Sequence, residues 1–181
     1  LFRSTGADQL EKDALQSQIL INLDSEEEGI FYIGCAGGVN VHITKQLQFE
    51  NIDPAQYEPY KITLTGFLGG HSGSDIHKNR PNAAKLLFRF INGLIGKVDF
   101  RLSGADSGDM HNAIPREARA FVFVNKSDVK KFSSAIRTFQ KAIAGEYKIS
   151  DPDGKIATEK LETLMPLVLT AQSLKDVNFI I

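Results

Sequence analysis

The reading of one stretch decides the fold: YKITLTGFLGGHSGSDIHKNRPNAAKLLFRFINGLIGKVDFRL, residues 60–102. Ile62 and Leu64 point one way in an apolar and polar alternation, so residues 60–67 read as a strand. A glycine-rich loop follows, with Gly66, Gly69, Gly70 and Gly73 around His71. Pro81 stands where a first helical turn would begin. Ala83, Leu86, Leu87, Phe90, Ile91 and Leu94 then recur at helical spacing, predicting a helix over 81–95 that Gly96 stops. Val98, Phe100 and Leu102 alternate as the next strand.

Downstream, the loop "GADSGDMHN" leads to a strand over 118–124 with Phe121 and Phe123 on one side. Ser127 is the expected N-cap of a second helix over 128–144, carried by Phe132, Ala135, Ile136, Phe139 and Ile143 and closed by Gly145. Tyr147 to Ile149 reads as an edge strand, and Asp151-Pro152-Asp153-Gly154 as a turn. The order is strand, helix, strand, strand, helix, strand. It predicts an α+β, ferredoxin-like antiparallel sheet with both helices on one face. The other face must meet solvent, a neighbouring domain or a second subunit. Residues 158–177 read as helix with a break near Pro166.

Upstream, Ile19 to Leu23 reads as a buried strand. "DSEEEG" is an acidic turn, "IFYIGCAGG" a second strand, and Val41 to Phe49 a half-buried alternating strand. The change of character places a hinge at Gly37-Gly38. The expected division is a remnant of a catalytic domain over 1–37, a lid or dimerisation domain over 38–157, and a helical return over 158–181.

The 181 residues suffice for one ordinary domain or one with part of another. With 42% hydrophobic and 24% charged residues the chain can bury a core. A net charge of -1 gives no footprint for nucleic acid or a membrane surface, and no apolar run is long enough for a membrane span. Cys35 has no intrachain partner, which suits a reducing compartment, and a cytoplasmic location is expected. The apolar ends, Leu1-Phe2 and Phe179-Ile180-Ile181, predict a piece of a longer chain.

Three residues carry the candidate chemistry. Asp24 follows an apolar strand, where a carboxylate serves as metal ligand or general base, or initiates and caps a turn, the reading that spacing alone favours. His71 among glycines has three readings: a donor to a developing oxyanion, a polar loop residue, or part of an anion-binding loop ahead of a helix. The spacing fits no phosphate loop. Asn112, in "HNAIPREA", reads as a loop-end cap before a strand. His42, His77 and His111 form no metal-binding spacing, and Glu26, Glu27 and Glu28 read as a solvated turn.

Taken together, "NLDSEEEGIFYIGCAGG", "GGHSGSDIHKNRPNAAKLLFRF" and "HNAIPREA" resemble the aminoacyl-histidine (Xaa-His) dipeptidases of the zinc aminoacylase and carboxypeptidase-like metallopeptidase family. The resemblance spans most of the chain and fades after Tyr147. It implies a two-zinc catalytic domain carrying an inserted lid of ferredoxin-like order, through which many relatives dimerise. It makes Asp24 a zinc ligand, His71 the lid histidine that polarises the scissile carbonyl, and Asn112 a substrate contact. The family's first His-x-Asp motif, bridging Asp, final His ligand and Glu-Glu pair have no counterpart here, Leu1 standing where the second Glu would align.

The expectation is therefore a lid-containing part of a zinc dipeptidase acting on Xaa-His dipeptides, inactive by itself and not retaining zinc. Its expected partners are a dipeptide substrate, the remainder of the catalytic domain and, through the lid, a second copy. The competing expectation is a non-catalytic ferredoxin-like dimerisation or small-ligand-binding module.

Overall fold

Ile62 and Leu64 lie fully buried on one face of a strand, and the helix predicted after the glycine loop packs on that face. The computed structural model describes residues 9, 11, 13–14, 16–19, 21, 28–34, 39 and 41–181. The elements in order are β1 (Phe49–Asn51), β2 (Tyr57–Thr65), β3 (Gly70–His71), α1 (Ala83–Leu94), β4 (Phe100–Ser107), β5 (Ala113–Ile114), β6 (Ala118–Asn125), α2 (Val129–Glu146), β7 (Lys155–Lys160), β8 (Leu167–Leu169) and α3 (Ala171–Ile180). Two compact units divide the chain, Leu1–Thr44 and Lys45–Ile181.

The second unit is built on a four-stranded sheet of order β4-β6-β2-β7, every neighbouring pair antiparallel. With α1 after β2 and α2 after β6, this is the ferredoxin-like arrangement the sequence predicts. Strand alternation decides which side is buried. Ile62, Leu64, Leu102, Val122 and Val124 join Leu87, Phe90, Ile91, Leu94, Phe132 and Ile143 of the helices in one core. Burying each large side chain of this set contributes about 1.5–3 kcal/mol. The Phe132 ring lies between Tyr60 and Phe90, with centroids 5.3 Å and 6.3 Å away. The two helices are also joined by an ion pair, Arg89 Nη1 to Glu146 Oε2 at 2.7 Å.

Helix ends show local chemistry at work, and differ in detail from expectation. Pro81 precedes α1, and Asn82 is the cap, accepting from the Lys85 N–H at 3.1 Å. Ser127 is not the cap of α2. It donates N–H and O–H to Asn125 Oδ1, which starts a short 3-10 turn leading into the helix. Gly145 lies inside α2 rather than closing it.

Larger corrections fall at the two ends of the chain. Tyr147 to Ile149 is not a strand. The chain continues in turns, with the Asp151 N–H donating to the Tyr147 carbonyl, and only after Gly154 does it reverse to run beside β2 as β7. As an edge strand, β7 buries Ile156 alone, so no apolar alternation marks it in the sequence. Residues 158–177 are not one broken helix either. They finish β7, form β8 and begin α3. Leu161, Leu164 and Val168, three to four apart, mimic a helical stripe.

Val41 and Ile43 are exposed and belong to no strand. Only Phe49–Asn51 pairs, antiparallel with β8. Ile19, Ile21 and Ile30 to Ile33 are likewise exposed and outside any strand. Leu23, the Gly37-Gly38 hinge and Cys35 lie outside the described residues.

The C-terminal return is tied to this unit by polar contacts. Ser173 Oγ accepts from the Gln48 N–H at 2.8 Å, and Ser103 Oγ, at an irregularity in β4, donates to the Leu167 carbonyl at 2.8 Å. Thr170 caps α3.

Candidate functional site

The glycine loop leaves β2 at Thr65 and returns to the fold at α1. Its position is set by a two-stranded ladder, β3 with β5, in which Gly70 faces Ile114 and His71 faces Ala113. The Ser72 N–H donates to the Asn112 carbonyl at 2.8 Å. The ladder thus brings together two of the three residues singled out in the sequence, His71 and Asn112, which lie 41 positions apart by their numbers in the chain. Both are exposed at the loop tips. Asp24, the third, lies outside the described residues.

Several bonds pin the loop. At its start, the Leu68 N–H donates to Oδ1 of the buried Asp151 at 2.7 Å. At its centre, the His71 N–H donates to Asp75 Oδ2 at 2.9 Å while the His71 carbonyl accepts from the Asp75 N–H at 3.0 Å. Asp75 also pairs with Lys78 at 2.7 Å and with Arg80 at 3.3 Å. Arg80 Nη1 further donates to the Gly69 carbonyl. The Lys78 ammonium, then the His71 N–H and the Arg80 charge, hold the Asp75 carboxyl down at a pKa of about 2.

Glycine is required where these groups crowd. Gly70 has φ +143°, and a Cβ there would lie 2.3 Å from Arg80 Nη1 and 2.5 Å from Asp75 Oδ2. Gly69, at φ +64°, would put a Cβ 2.3 Å from Arg116 Cγ. The glycines therefore clear space for charged side chains to cross the backbone, as well as allowing the turn.

The imidazole itself is oriented by backbone. His71 Nδ1 accepts from the N–H groups of Gly73 and Ser74, each at 3.1 Å. A ring nitrogen that accepts two N–H bonds carries no proton, so the proton sits on Nε2 and that N–H is a donor. Beside this ladder lies a groove of about 890 Å³ over the sheet face opposite the helices, lined by Gly70 and Ala113 together with Lys61, Asp109, Arg116 and Arg119. Arg119 is paired with Asp106 at 2.7 Å.

Sequence reasoning missed Asp75, Arg80, Asp151 and Arg116. Asp75 and Lys78 carry a visible i,i+3 charge spacing, but nothing local shows that the carboxylate reaches back to His71 or that Asp151 reaches Leu68.

Among the described residues no three His, Cys, Asp or Glu side chains converge on a common point. A catalytic zinc wants three protein ligands and an open position. The described residues therefore do not fit a zinc centre, and no step is derived through one.

A ferredoxin-like sheet bearing a pinned, exposed histidine loop defines a class. Residues 62–151 match the family model described as peptidase dimerisation domain, and this part of the chain is such a domain. The resemblance to dipeptidases also holds by sequence and by structure. The chain is 45% identical over 141 residues to the cytosol non-specific dipeptidase of Escherichia coli (strain K12), a match covering 78% of this chain and 29% of that protein. It superposes on the aminoacylhistidine dipeptidase of Vibrio alginolyticus with a TM-score of 0.69 at 30% identity, covering 74% of this chain and 27% of that one. The chain thus spans less than a third of the length of these relatives.

Proposed function

We propose that this chain is the lid-bearing part of a metal-dependent dipeptidase that hydrolyses Xaa-His and related dipeptides. The observation that carries the reading is the His71 ring, held with an Nε2–H donor outward beside Asn112. In peptide hydrolysis the carbonyl oxygen becomes an oxyanion when water attacks its carbon. A fixed N–H aimed at that oxygen stabilises the transition state more than the ground state. Asn112 supplies an amide suited to holding the substrate in register. The base that takes the proton of water, the metal ligands including Asp24, and the zinc ions of the parent are assigned to parts other than the described residues. By itself the 181-residue chain is then inactive.

The division into catalytic remnant (1–37), lid (38–157) and return (158–181) is part of the same proposal, with β7 belonging to the lid as far as Lys160. So is a homodimer formed through this domain, which its match to the dimerisation family supports. The cytosolic relative supports a cytoplasmic location. No helix among the described residues is long and apolar enough to cross a membrane.

The test is steady-state kinetics in the full-length dipeptidase, with metal content checked. His71→Ala is expected to lower kcat by about 10²–10³ with little change in KM. Asn112→Ala is expected to act mainly on KM. An unchanged kcat in His71→Ala at full metal occupancy would leave the histidine a loop residue.

A further inference from the structure

The structure assigns a positioning role to Asp75 and Arg80: together they hold the His71 ring in the neutral tautomer with its proton on Nε2. The functional consequence rests on the reading of His71 as carbonyl donor. The tautomer itself does not.

A histidine ring in water exchanges between tautomers, and only a partner at one nitrogen selects between them. Here the partners are the Gly73 and Ser74 N–H groups at Nδ1. Both belong to a turn whose ends meet twice, through the Asp75 N–H on the His71 carbonyl at 3.0 Å and the His71 N–H on Asp75 Oδ2 at 2.9 Å. The second contact is made by a side chain that has its own anchor. Arg80 Nη1 reaches Asp75 Oδ2 at 3.3 Å and also the Gly69 carbonyl, and so ties the turn to the strand that carries His71. Gly70 leaves room for this crossing. Without the carboxylate the turn keeps one closing bond, and the Gly73 and Ser74 donors lose their aim at Nδ1. Without the guanidinium the carboxylate loses its link to Gly69. Neither side chain hydrogen-bonds to the ring, so both act through the backbone of residues 69–75.

The experiment uses the 181-residue chain with ¹⁵N-labelled histidine rings, read by two-bond ¹H–¹⁵N spectra at neutral pH. In the unaltered chain His71 should show one tautomer, with a pyridine-type Nδ1 and a pyrrole-type Nε2. Asp75→Ala and Arg80→Ala should give averaged ring signals at His71 while His42 and His111 stay unchanged. Asp75→Asn keeps an acceptor for the His71 N–H and should restore most of the bias. Should Asp75→Ala lose the native amide spectrum, the contrast of Arg80→Ala with Asp75→Asn decides. A mixture of tautomers in the unaltered chain, or a single tautomer persisting in Arg80→Ala and in a folded Asp75→Ala, overturns the proposal.

Kinetics of Arg80→Ala in the full-length dipeptidase separate this idea from the functional reading. A fall in kcat at constant KM, smaller than the about 10²–10³ of removing the donor itself, is expected. Averaged ring signals with an unchanged kcat would leave the positioning role standing and sink the oxyanion role of His71.

Discussion

At Asp75 a single carboxylate joins three groups, and its ionisation should be visible in the loop. Its folded pKa of about 2 lies below the ordinary aspartate value of 3.8, with the Lys78 bond the largest cause. A depressed carboxylate contributes its stabilisation fully above the unfolded pKa, and that contribution is lost as pH falls through the folded one. The protection factors of the His71 and Lys78 amides, each rate taken relative to its intrinsic rate at the same pH, should therefore be constant above about pH 4 and fall as the pH approaches 2. In Asp75→Asn the step should vanish. Gly70 offers a steric test of the same place. Gly70→Ala forces a Cβ against Arg80 and Asp75 at φ +143°, and strain of about 1–3 kcal/mol is expected from urea unfolding. An alanine tolerated without loss would mean that Arg80 and Asp75 do not lie within 2.5 Å of the place a Cβ would take.

Between elements, the helices are held to the sheet by rings and branched aliphatics, and Phe132 is central to both helices. Its side chain is 1% exposed and meets Tyr60 of β2 and Phe90 of α1. Phe132→Ala should cost about 3–5 kcal/mol in urea unfolding, the range for truncating a buried phenylalanine. Burial, first, and then the bond to Glu58 push the Tyr60 hydroxyl up to about 12, so this contact keeps its neutral phenol across the ordinary pH range. β7 shows the opposite limit. One buried residue holds it to the helix face, and its place comes from main-chain pairing with β2 from Tyr60↔Lys160 to Thr65↔Lys155. Among the described residues no further strand pairs with its outer edge, where the Ile156 N–H donates to Gln140 Oε1 at 2.7 Å.

For the molecule as a whole, an open sheet edge and a match to a dimerisation domain predict self-association. Sedimentation equilibrium should return twice the 20.0 kDa of one chain. A strictly monomeric chain at the highest concentrations that stay in solution would remove the homodimer from the proposal. The sheet face opposite the helices carries Lys61, Arg101 and Arg119 on neighbouring strands, with Phe123 buried at 2% beneath them and outside the main core.

The sequence by itself determined the parts whose signal is periodic and buried. Ile62 and Leu64, the stripe from Ala83 to Leu94, and the stripe from Phe132 to Ile143 face one core, so spacing alone reveals them. That was enough to order both helices and three of the four strands of the ferredoxin-like arrangement, whose fourth strand lies at 155–160 and not at 147–149. His71 and Asn112 also stand out as candidates, the histidine by the glycines around it and the asparagine through the family resemblance. Tertiary structure alone decided what depends on partners distant in the chain. β7 exists because β2 offers it a ladder, not because of its own pattern, and of the strand read at 41–49 only Phe49 finds such a partner, in β8. The pairing of His71 with Ala113 and the reach of Asp151 to Leu68 are likewise long-range. Even the short-range hold of Asp75 on His71 depends on a backbone path through Gly69 and Gly70 that residue types permit without dictating. A side chain's reach is set by where the backbone turns, and at those turns spacing carries no information.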